Sequence, residues 1–88
     1  MQRIKVIIPA YNEQDSIGLV VGDIPRIVDE VIVVNNNSSD DTVKVARAAG
    51  ATVLSEKRSG YGYACLKGID YIKGLETKPN IVVFLDGD

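Results

Sequence analysis

The 88 residues carry 45% hydrophobic and 25% charged side chains and a net charge of -2 at pH 7, with no apolar run long enough for a signal peptide or a membrane span. Such a balance reads as soluble and globular, a single domain at most, of a size that buries only a modest core. The absence of a basic cluster argues against nucleic acid as a partner, and Cys65, the one cysteine, excludes an internal disulfide and fits a reducing, cytoplasmic setting.

Ile4 to Ile8 is a short apolar run with β-branched residues and predicts a first strand, ended by Pro9, which has no N–H to give to a sheet. Asn12 is placed to cap a helix with Asp15 in its first turn, and Ile17, Val20, Val21 and Ile24 recur at helical spacing before Pro25 stops it. Val31 to Val34 is nearly continuous in apolar residues, as expected of a parallel strand covered on both faces. The polar stretch from Asn35 to Asp41 then forms a loop. Ser38, Ser39 or Asp40 would cap the next helix, which carries Val43, Ala46 and Ala49 and ends at Gly50.

Thr52 to Leu54 makes a short third strand. From Gly60 onward, Tyr61, Ala64, Cys65, Gly68, Ile69 and Ile72 fall on one helical face, and Ile81 to Leu85 is the fourth strand. Alternating strands and helices with right-handed crossovers build an α/β fold, a Rossmann-like three-layer α/β/α sandwich around a mostly parallel sheet. The loops that follow the strands then share one sheet edge, where open α/β folds collect ligands.

Those loops hold the polar residues. Pro9-Ala10-Tyr11-Asn12-Glu13 follows the first strand, Asn35 to Thr42 the second, Lys57-Arg58-Ser59-Gly60-Tyr61-Gly62 the third, and Asp86-Gly87-Asp88 the fourth. Two carboxylates around a glycine suit a hard divalent cation, Mn2+ or Mg2+, bound together with substrate phosphates, although the same tripeptide is a common turn. Gly60 and Gly62 half-match a dinucleotide fingerprint. Cys65 occupies the place of its third glycine, however, and the turn follows the third strand rather than the first, which argues against a nicotinamide enzyme. Cys65 reads most simply as a small buried apolar residue.

Taken in order, these segments resemble the family 2 glycosyltransferases of GT-A fold. Ile7 to Glu13 is similar to the family's opening strand and turn, Val33 to Thr42 to its acidic-serine-threonine loop, and Asp86-Gly87-Asp88 to its DXD metal motif. Gly60 to Ala64 resembles the glycine-rich turn of the branch that includes dolichyl- and polyprenyl-phosphate sugar transferases.

The resemblance implies a metal-dependent, inverting transfer of a sugar from a UDP- or GDP-sugar to an acceptor, with Asp86 and Asp88 as metal ligands. It also implies a wall of Pro9, Ala10, Tyr11 and Glu13 around base and ribose and donor contacts at Asn35, Asn36, Ser38, Asp40, Asp86 and Gly87, with Asp86 helping Asp88 or facing the ribose, while Lys57, Arg58 and the backbone amides at Gly60 and Gly62 are placed to reach a diphosphate. Simpler readings stand beside these. Asn12 and Glu13 also suit a helix entry, Asp40 a helix cap, and Lys57 with Arg58 a solvated basic pair. Asn35 and Asn36 replace the family's acidic residues, which puts the preferred base in question.

Family members continue well beyond the DXD motif into acceptor-binding sequence. Residues 1–88 are therefore expected to be the donor-binding half of a glycosyltransferase domain, truncated after its fourth strand, with the general base and any membrane-face anchoring elsewhere in a longer parent. Lipid phosphate, polysaccharide and protein acceptors all stay open. An open sheet edge predicts a homo-oligomer, and the alternative to an enzyme is an inactive nucleotide-binding or self-associating module.

Overall fold

The computed structural model describes residues 3–87. Its elements are β1 (Ile4–Ala10), α1 (Ile17–Gly22), β2 (Glu30–Asn35), α2 (Thr42–Ala48), β3 (Thr52–Ser55), α3 (Tyr61–Lys73) and β4 (Ile81–Phe84). The strands form one sheet in the order β3-β2-β1-β4, and every neighbouring pair is parallel.

Residues alternate across this sheet and build two cores. Val6, Ile8, Ala10 and Val33 point to one face, where Ile17 and Val21 of α1 and Ala46 of α2 cover them. Ile7, Ile32 and Val34 point to the other, beneath Ala64 and Ile72 of α3. The chain explains the division. It steps from β1 to β2 to β3 in one direction, then returns across the sheet to β4. With right-handed crossovers, that reversal places the third helix on the opposite face. The order therefore changes direction between β1 and β4, which is a topological switch point.

Several boundaries differ from the sequence expectation. β1 runs through Pro9 to Ala10, with Pro9 opposite Val34. Proline is tolerated there because residues 7 and 9 face the β4 side, where pairing has already ended at Ile7 and Phe84. α1 begins only at Ile17 and ends at Gly22, so Ile24 lies beyond it. Asn12 does not cap it. That residue has a φ of 51°, the left-handed conformation asparagine tolerates, and its Oδ1 accepts the Ser39 N–H at 2.8 Å. The cap position of α2 is Asp41, whose side chain makes no capping bond, while Asp40 Oδ1 accepts the Thr42 N–H at 3.0 Å. Tyr61, expected on the buried face of α3, is exposed, and Cys65 is half-buried.

At the amino edge of the sheet, Glu30 ties three elements together. Its Oε2 accepts from Thr52 Oγ1 at 2.7 Å and Tyr71 Oη at 2.6 Å, and its Oε1 pairs with Lys5 Nζ at 3.1 Å. Partial burial pushes this carboxyl up, but the bonds from Tyr71, Thr52 and Lys5 outweigh it and leave it below its ordinary value. Both edges of the sheet are open: β3 on one side, and β4 on the other with Ile81, Val82 and Phe84 exposed. No helix among the described residues is long and apolar enough to cross a membrane.

Candidate functional site

Three strand ends meet at the switch point. Pro9, Ala10, Tyr11 and Glu13 from the end of β1, Asn36 from the end of β2, and Asp86 and Gly87 from the end of β4 line one open cleft of about 200 Å³. Tyr61 and Ala64 of α3 complete it. A neighbouring depression extends from Tyr11, Asn36 and Tyr61 to Ser59 and Gly60. Tyr11 and Tyr61 are 60% and 58% exposed, so two aromatic faces are presented to a ligand instead of being packed.

Asp86 and Gly87 are seated closely on the end of β1. A Cβ at Gly87 would lie 3.3 Å from Glu13 Cγ and 3.5 Å from the Pro9 carbonyl oxygen, so a side chain there would make Glu13 shift by a few tenths of an ångström. Ser16 holds the loop from the side. Its hydroxyl lies 2.8 Å from the Gly87 carbonyl and 3.2 Å from Glu13 Oε2, and its single proton is best placed for the shorter bond. Asp88 lies outside the described residues. Among the described residues no group of three acidic, cysteine or histidine side chains converges. Asp86 is exposed on an open cleft that also holds Glu13, and this fits a cation that takes one or two carboxylates and completes its shell with phosphate oxygens and water.

The loops after β1 and β2 are stitched to each other beside the cleft. Asn12 N–H donates to Ser38 Oγ at 2.9 Å, Glu13 N–H to Thr42 Oγ1 at 2.8 Å, and Asp41 N–H to Gln14 Oε1 at 3.0 Å. Buried Thr42 in turn donates its hydroxyl to Asp40 Oδ1. Bonds from Thr42, from its hydroxyl above all, hold the Asp40 carboxyl below its ordinary value. Ser38 and Asp40 thus serve the stitch and do not line the cleft, and neither does Asn35, whose Oδ1 accepts the Ser38 N–H at 3.2 Å.

The loop after β3 is organised by a residue the sequence did not single out. Glu56 is only 8% exposed, and its carboxylate accepts from Arg58 N at 2.9 Å, Nε at 3.2 Å and the guanidinium Nη2 at 2.8 Å. Arg58 also stacks 4.5 Å above the centroid of the Tyr63 ring. Arg58 is therefore engaged, while Lys57 is an exposed cation of this loop. Gly62 lies in the first turn of α3, on a separate apolar depression with Tyr63, Cys65 and Leu66. An acid two residues before an arginine was the only sequence signal for the Glu56 pair, and in a loop that spacing is unremarkable.

Arg58, first through its side-chain hydrogen bonds, holds the Glu56 carboxyl down at about 2 from an ordinary 4.5. Because the folded carboxyl titrates lower than the unfolded one, the pair stabilises fully above about pH 4.5 and that contribution vanishes as pH falls through about 2. Acid unfolding followed by circular dichroism should therefore lose part of its dependence on pH in this window in Arg58→Met. An unchanged acid limb in that variant would remove the pair from the account.

The sequence model described as "Glycosyl transferase family 2" matches residues 5–88. The chain belongs to glycosyl transferase family 2. An uncharacterized glycosyltransferase of Mycobacterium bovis is 39% identical over 85 residues, which cover 97% of this chain and 36% of that protein. Glucosyl-3-phosphoglycerate synthase of Mycolicibacterium paratuberculosis is 38% identical over 97 residues, 97% of this chain and 28% of its own length. Among solved structures, glucosyl-3-phosphoglycerate synthase from Mycobacterium tuberculosis, in complex with Mn2+, uridine-diphosphate-glucose and phosphoglyceric acid, superposes with a TM-score of 0.84 at 35% identity. That match covers 99% of this chain and 33% of the synthase. The chain thus spans about a third of the length of these family members.

Proposed function

We propose that this chain binds the nucleoside diphosphate of a sugar nucleotide with a divalent cation, Mn2+ or Mg2+, in the cleft between β1 and β4, as the donor half of a glycosyltransferase. The observation that carries the reading is the convergence of Pro9, Ala10, Tyr11, Glu13, Asn36 and Asp86-Gly87 at the switch point of the sheet. The likeness to a synthase solved with Mn2+ and uridine-diphosphate-glucose supports it.

In such a transfer an acceptor oxygen bonds to the anomeric carbon while the bond from that carbon to the diphosphate breaks, and negative charge collects on the departing diphosphate. A bound divalent cation supplies Lewis acidity at that charge. Asp86 would hold it, and Asp88 is the second carboxylate of the same sequence motif. Tyr11, Glu13 and the backbone of Pro9 and Ala10 would orient base and ribose. Gly87 keeps the loop low enough for phosphate oxygens to approach the sheet edge. Lys57 and the amides leading into α3 would meet the diphosphate from the other side.

Calorimetric titration of the chain with UDP and GDP, with and without MnCl2, tests this directly. Binding of one nucleotide that strengthens about tenfold or more with manganese is expected, as for a site whose cation bridges carboxylate and phosphate. No binding of either nucleotide under any condition would sink the reading.

A further inference from the structure

Asn36 directly follows β2 at the cleft, yet its amide is turned to the neighbouring loop. Its Nδ2 donates to the Glu56 carbonyl at 3.0 Å and the Arg58 carbonyl at 2.8 Å, and its Oδ1 accepts the Gly60 N–H at 2.9 Å. A carboxamide has two N–H donors, and both are used. We propose that Asn36 is a positioning residue: it fixes the turn from Glu56 to Gly60, and with it the Tyr61 wall of the cleft, and does not itself select the base. The inference rests on the donor-binding reading for its consequence, though not for its geometry.

The turn needs such a tie. Gly60 has a φ of 129°, which side chains rarely adopt, and it leads directly into α3, whose Tyr61 and Ala64 line the cleft. The hydrogen bonds that hold the turn come mostly from the last residue of β2 and the two that follow it. Asn36 supplies three, Asn37 Nδ2 adds bonds to the Lys57 carbonyl at 2.9 Å and Ser59 Oγ at 3.3 Å, and the Asn35 carbonyl accepts the Glu56 N–H at 2.9 Å. Glu56 clamps Arg58 within the same turn. A carboxylate at position 36 would keep the acceptor for Gly60 but face two carbonyl oxygens with no proton to give, so aspartate, the near-isostere, is the damaging replacement.

Amide hydrogen exchange read by NMR, on the unaltered chain and on Asn36→Asp, tests the tie, alongside UDP and GDP titrations in manganese. In the unaltered chain the Gly60 amide should be protected although its residue is exposed, and this measurement needs no variant to fold. Protection at Gly60 should fall about tenfold in Asn36→Asp while Val33 in β2 is unchanged, as for loss of a local restraint. UDP and GDP affinities should fall by the same factor. An unprotected Gly60 amide in the unaltered chain overturns the inference, and so does a changed UDP-to-GDP ratio in the variant, which would make Asn36 a base reader. If the unaltered chain binds neither nucleotide, the donor reading fails by itself, and Gly60 exchange still decides the role of Asn36.

Discussion

Gly68→Ala should destabilise the chain by about 1–2 kcal/mol, even though alanine is worth about 1 kcal/mol more than glycine inside a helix. The reason is the depth at which α3 sits on the sheet. A Cβ at Gly68 would lie 2.7 Å from Ile7 Cγ2, 3.0 Å from its Cδ1 and 3.2 Å from its Cγ1. Ile7 cannot give way easily. It is 0% exposed in an interior strand, with neighbours on both sides, and Cγ2 is bonded directly to a β-branched carbon whose χ1 is stiff.

The helix must therefore lift, which loosens Ala64 and Ile72 from Ile32 and Val34 and tilts the Tyr61 wall of the cleft. Urea and thermal unfolding measure the effect, and each kcal/mol should lower the midpoint by about 4–8 °C in a domain of this size. Ile7→Ala, which removes the colliding methyl, should make the double variant lose less than the two single losses added together. A Gly68→Ala chain as stable as the parent would show that the close approach carries no constraint.

Asp86→Ala should weaken manganese-dependent nucleotide binding by about 100-fold or more, beyond the 10- to 100-fold typical of altering a group that merely supports a metal ligand. Stability should change by less than about 0.5 kcal/mol, since Asp86 is an exposed surface residue. The two readouts together separate a ligand role from a folding role. Asp86→Asn, which keeps an oxygen but loses the charge, should fall between the parent and the alanine variant. Calorimetry in manganese, repeated without metal, makes the comparison, and equal affinity in parent and alanine variant would show that the cation is not held at this position.

Much of the architecture was legible from local pattern. The apolar runs at Ile4 to Ile8, Val31 to Val34 and Ile81 to Leu85 fall on strands, the last ending at Phe84, because β-branched residues suit a pleated sheet, and the two interior strands β1 and β2 are covered on both faces. The face Ala64, Gly68 and Ile72 lies buried on the sheet, as its spacing requires. Where local chemistry misled, tertiary partners had won. Asn12 has the composition of a helix cap, but Ser38 and Ser39 recruit its backbone and side chain into a left-handed turn between loops. Pro9 ends strands in general. Here it continues one, since its missing N–H faces the β4 side beyond the last paired residues, Ile7 and Phe84.

The sequence by itself determined the alternation of strand and helix, the parallel sheet and the gathering of polar loops at one edge, because periodicity and turn chemistry act over a few residues. It also carried the Asp-Gly-Asp ending and the likeness to family 2. Only the tertiary structure decided which of those loops share a cleft. The strand order β3-β2-β1-β4 sets the end of β1 beside the end of β4, and so Tyr11 and Glu13 beside Asp86, although more than seventy residues separate them in the chain. Hydrogen bonds between loops are equally invisible to spacing: Asn36, Ser38 and Asp40 stand in one motif, yet Asn36 holds the β3–α3 turn while Ser38 and Asp40 hold the first loop. A side chain's partner is fixed by which backbone the fold brings within 3 Å of it, and that is a property of the packed sheet rather than of neighbouring residues.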